Sequence, residues 1–126
     1  MRRLSFGTGE VDRDRFDILY SGICMSEKGI NRTELSTFNH LLEKLESVGK
    51  RIDGAKADAF VQYTLRDSGG EVLLEDAEYA MVNALHESIR WTKISARRAE
   101  EAYHWFENIP REVLKETQIA AVELVK

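Results

Sequence analysis

The sequence predicts a mainly α-helical domain of four to five helices, with a β-hairpin near residues 59–74; an all-α bundle is the alternative. Three observations carry this expectation. Apolar residues recur at helical spacing in several segments. A strong turn, Asp67-Ser68-Gly69-Gly70, separates two runs of strand-forming residues. All eight glycines lie at or before Gly70, which leaves the second half as the more continuous helical block.

Each element has its own warrant. Residues 1–11 are weakly patterned: Leu4 and Phe6 alternate with Ser5 as in a short strand, and a loose N-terminal arm is the competing expectation. Phe16, Leu19, Tyr20, Ile23 and Cys24 form a helical stripe within residues 12–28, and a strand is the competing expectation because Phe16, Ile18 and Tyr20 also alternate. Asp12 and Asp14 suit the positive end of that helix, and Gly29 is placed to end it. Residues 31–48 are the clearest helix. Asn31 and Glu34 have capping-box spacing, Leu35, Phe38, Leu41, Leu42, Leu45 and Val48 form one face, and Gly49 stops the helix.

The run Phe60–Leu65 and the shorter run Val72-Leu73-Leu74 give the two arms of the expected hairpin. Asp76 is the expected N-cap of the next helix, whose buried line is Val82, Leu85, His86 and Ile89. The pattern blurs at Trp91–Ser95. Either the helix runs through, or it breaks and Ser95 caps a new one carrying Ala96, Ala99, Ala102, Tyr103 and Phe106. A last helix is expected from about Pro110 to the end.

The composition, 43% hydrophobic and 32% charged over 126 residues, is that of one globular domain spanning 1–126. One cysteine rules out an intrachain disulfide framework. Apolar runs fall short of the roughly 20 residues that span a bilayer, and no apolar run follows Arg2-Arg3 as a secretory signal requires. The expectation is a cytoplasmic protein with no membrane partner. The net charge of −4 makes it a poor general binder of nucleic acid, because such binding rests on neutralising phosphates. The excess acid lies in residues 64–126, where twelve Asp/Glu face eight Lys/Arg.

The chemical motifs are weak. Glu101-Ala102-Tyr103-His104 is a single Glu-x-x-His, whereas di-iron bundles need two copies. His40, His86 and His104 lack zinc-ligand spacing, and His86, on the apolar line of its helix, reads as a core histidine. Cys24 reads as a small buried hydrophobe. Gly7-Thr8-Gly9 lacks the lysine of a phosphate loop, and Asp12-Arg13-Asp14 lacks the later glycine and Glu of a calcium loop. Arg2-Arg3-Leu4-Ser5 has the basic residues that basophilic kinases favour before a serine. No cofactor and no metal are expected.

Two surfaces remain. Arg90, Lys93 and Arg97 line one face if their helix is continuous, and otherwise pair with nearby carboxylates, Arg90 with Glu87 and Arg97 with Glu101. Trp91, Tyr103, Trp105 and Phe106 cannot all face inward from one helix. The expected function is a non-enzymatic interaction module or adaptor, a small accessory protein that binds itself or another protein through Arg90, Trp91, Lys93, Arg97, Tyr103 and Trp105. Nucleic-acid binding through the Arg90/Lys93/Arg97 stripe is the alternative. A hydrolase-type enzyme using His104 with Glu100 or Glu101 is the third. The acidic stretch from Asp67 to Glu87 offers a further face for a basic partner.

Overall fold

A computed structural model describes residues 1–52 and 63–112. In these residues four α-helices and two two-stranded antiparallel sheets form, so helices dominate a mixed architecture. The expected helix beyond Pro110 and the arm of the hairpin before Tyr63 lie outside the described residues.

Strand β1 (Arg2–Phe6) forms where the sequence offered a short strand and a loose arm as alternatives. It pairs antiparallel with β4 (Gly70–Leu74), Leu4 opposite Val72 and Phe6 opposite Gly70. Leu4, Phe6, Val72 and Leu74 point inward and are buried. Ser5 and Arg3 point outward and bind Glu71. Period-two alternation thus puts one face on the core and the other in solvent. The serine that the basic motif would offer to a kinase lies within this paired strand.

Helix α1 (Glu10–Met25) carries Glu10 and Asp12 in its first turn and ends three residues before the expected boundary. It packs against α3, α4 and β3, so it is buried on more than one side. Phe16, Leu19, Tyr20 and Ile23 enter the main core, while Ile18 faces Ala99 and Ala102 of α4. That second contact explains why Ile18 falls off a single amphipathic stripe.

A 3₁₀ turn (Arg32–Glu34) leads into α2 (Leu35–Ser47). The Asn31 N–H donates to Glu34 Oε1 at 3.2 Å, as the capping-box spacing predicts. Leu41, Leu45 and Val48 are buried, Phe38 and Leu42 half-buried, and Leu35 exposed.

The hairpin does not form as expected. The turn at Asp67-Ser68 is present, closed by Gly69 N–H donating to Arg66 O, and Gly69 adopts φ 65°. The strands on either side part company: β3 (Tyr63–Leu65) pairs with β2 (Gly49–Arg51), and β4 pairs with β1. The turn therefore joins two sheets. The Arg66 N–H bonds Val48 O instead of the opposite arm. A β-carbon at Gly69 would fall 2.3 Å from Phe6 O, so only glycine lets the turn pass under β1.

Helix α3 (Asp76–His86) is capped by Glu75, one residue before the expected Asp76. The Glu75 N–H donates to Glu78 Oε1 at 2.7 Å. Glu78 is 2% exposed and also receives Lys44 Nζ at 2.5 Å, while Lys44 reaches Leu73 O at 2.9 Å. One ion pair thus ties α2 to α3 and β4. After a break, α4 (Ala96–Glu107) completes the described elements.

Candidate partner-binding surface

The break between α3 and α4 removes the continuous basic helical face. Arg90 and Lys93 stand on the connecting loop and Arg97 in the first turn of α4. All three are exposed. The expected local pairs are absent among the described residues: Glu101 is taken by Arg15, with Nε–Oε1 3.0 Å and Nη2–Oε1 2.5 Å, and no carboxylate meets Arg90, Lys93 or Arg97. Arg98, which flanks them, does have a partner, Asp14 at 3.7 Å.

Within this stretch of sequence Ile94 is 86% exposed. No other large apolar side chain described is so open; Met25, the next, is 54% exposed. Sequence reasoning missed Ile94. Its signal was an isoleucine in an otherwise polar stretch without periodicity, which becomes meaningful only once the helix is seen to break.

The aromatic residues divide. Trp91 Nε1–H donates to Tyr103 Oη at 2.9 Å. Tyr103 Oη lies 2.6 Å from His86 Nδ1, and His86 Nε2 lies 3.0 Å from the Leu19 carbonyl. A carbonyl only accepts, so Nε2 carries the imidazole hydrogen and Nδ1 accepts from the Tyr103 hydroxyl. Every donor and acceptor in this neutral chain is then satisfied. Burial holds His86 below the usual histidine range and pushes Tyr103 up. His86 is the core histidine expected from its place on the helix.

Trp105 lies elsewhere. Its ring packs against Phe6 (centroids 5.4 Å apart) and Phe106, and the Arg15 guanidinium lies 5.1 Å from its centre. Trp105 thus packs apart from the Trp91–Tyr103 pair. Positions 103 and 105 project to different sides of one helix, and the half-buried Trp105 faces Phe6 of β1 and Arg15 of α1.

Trp91, Ala96, Ala99 and Tyr103 line an open cleft of about 420 Å³, with Glu100, His104 and Glu107 completing its lining. His104 is exposed, as are Glu100 and Glu101, and Glu101 is held by Arg15. A shallow, solvated site of this kind gives an acid–base pair no exclusion of water. Among the described residues no three His, Cys, Asp or Glu side chains converge as metal ligands. His40 is exposed on α2. Cys24 is half-buried, and burial pushes its thiol up, away from the thiolate a nucleophile needs.

Much of the acidic stretch is paired with cations of the same chain. Asp67 binds Lys50, Glu71 binds Arg3, Asp76 binds Arg111 and Glu78 binds Lys44. No described helix is long and apolar enough to cross a membrane. No protein-family model matches this chain, and neither a curated protein nor a solved structure matches it significantly.

Proposed function

We propose that this chain is a non-enzymatic protein-interaction module of the cytoplasm. It docks an acidic segment bearing an apolar side chain onto the 87–95 loop and the first turns of α4. The observation that carries this reading is Ile94: 86% exposed, with Arg90, Lys93 and Arg97 around it in sequence and no carboxylate on any of the three among the described residues. Many cations of the protein do find acids, including Arg3, Arg15, Lys44, Lys50 and Arg111. Covering an isoleucine contributes roughly 1.5–3 kcal/mol, and the surrounding cations speed encounter with an acidic partner. The nucleic-acid alternative is less well supported, because Trp91 is half-buried and engaged with His86 and Tyr103 instead of free to stack a base.

The test is photo-crosslinking in cells. A photoreactive residue replaces Ile94, and in a control it replaces His40 on α2. A discrete protein adduct specific to position 94, carrying an acidic segment, supports the reading. An adduct of twice the chain mass assigns the face to a second copy instead, and a nucleic-acid adduct assigns it to the alternative. Equal, diffuse labelling at both positions ends the proposal.

A further inference from the structure

Among the described residues, one polar chain ties the loop that carries Ile94 to the body of the protein, and that chain contains a histidine. We propose that Trp91, Tyr103 and His86 form an acid-sensitive latch: it clamps the loop and α4 onto α1 while His86 is neutral, and loosens when His86 takes up a second proton.

The geometry sets the direction. In the neutral state Trp91 donates to the Tyr103 hydroxyl, the hydroxyl donates to His86 Nδ1, and Nε2–H donates to the Leu19 carbonyl. Protonation turns Nδ1 into a donor. Two donors, the indole and the imidazolium, then converge on one hydroxyl oxygen, and the hydroxyl's own hydrogen loses its acceptor. Among the described residues the new charge has no counter-ion. The groups facing the ring are the Leu19 carbonyl and Gly22 of α1, Trp91 of the loop and Tyr103 of α4. Of these only Tyr103 titrates, and it does so in the alkaline range. Cys24, on the same helix, is engaged with Tyr20 and Glu46 instead. A charge buried at 8% exposure without a partner is relieved by opening the site.

The ring cannot slide deeper to escape. It lies directly on α1, where a β-carbon at position 22 would fall 1.9 Å from its Cε1. Release therefore moves outward, through Tyr103 and Trp91, toward the loop. The consequence for partner binding rests on the function proposed above; the latch itself does not, and is tested without any partner.

The experiment follows hydrogen exchange of amides 87–95 at pH 7.5 and 5.5, corrected for intrinsic rates, on the whole chain. Trp91 emission is followed in parallel in a Trp105→Phe background. Loop protection is expected to fall roughly tenfold or more across this range, with an emission midpoint below 6.5. His86→Gln retains a donor and an acceptor but no titration, so the pH step should vanish while the loop stays protected. If His86→Gln fails to fold, Tyr103→Phe serves: loop protection should be low at both pH values and the step lost. Protection unchanged between pH 7.5 and 5.5 overturns the latch. So does a step that survives in His86→Gln, which assigns it to a group other than His86.

Discussion

The imidazole of His86 occupies the space that a side chain on Gly22 would need: a β-carbon built on that glycine falls 1.9 Å from His86 Cε1. A glycine in mid-helix ordinarily costs about 1 kcal/mol relative to alanine. Here it permits a helix and a buried ring to touch. Gly22→Ala should therefore destabilise the protein by about 1–3 kcal/mol in urea denaturation, despite the better helix propensity of alanine. In a His86→Ala background the same change should become neutral or stabilising. A destabilisation unaffected by removing the ring would refute the contact as its cause.

Burial lowers the proton affinity of His86 in the folded state, while the unfolded chain takes up its proton near pH 6.5. Between the two values the unfolded state binds more protons, so stability rises with pH there and levels off above about 6.5. The urea midpoint should fall as pH drops from 7 toward 5, ahead of most carboxylate titration. His86→Gln should flatten this part of the curve. An unchanged slope in that variant would assign the effect to other groups.

Lys44 and Glu78 form the best-buried ion pair described, though the lysine keeps one-third of its side chain exposed. Glu78→Gln leaves the ammonium without its counter-charge and weakens the cap on Glu75. A loss of about 1–3 kcal/mol is expected, below the full cost of orphaning a buried charge because water still reaches Lys44. Lys44→Met in the same background should recover part of it, which a double-mutant cycle measures.

Ile94 and Trp105 should separate binding from folding. Ile94→Asp touches an open side chain and should change stability by less than about 0.5 kcal/mol, while abolishing the adduct of a crosslinker placed at the neighbouring Lys93. Trp105→Ala removes a ring packed on Phe6 and should cost about 2–3 kcal/mol, less than a fully buried tryptophan. Its binding should change only as far as its fold does. A Trp105→Ala protein that keeps its stability and loses the adduct would reverse this assignment.

Local spacing was enough to read α1 and α2. The stripe Phe16–Leu19–Tyr20–Ile23 and the pair Asn31/Glu34 depend only on residues within two turns of each other, so their side chains meet wherever the helix forms. The turn at Asp67–Gly69 and the buried line Val82–Leu85–His86 were legible for the same reason, whereas Ile89, expected on that line, falls beyond the end of α3 and is half-buried. The pairing of β4 with β1 was not, because nearly seventy residues separate Leu4 from Val72 and strand propensity does not name a partner. Nor was the character of the candidate surface. Arg15, on α1, takes the carboxylate that Arg97 would otherwise use, and Tyr103, itself bonded to His86, takes the indole N–H of Trp91. The residues available to form helices are a local property of the chain. Which charges and rings remain free for a partner is settled by contacts between distant segments, and only the tertiary structure decides those.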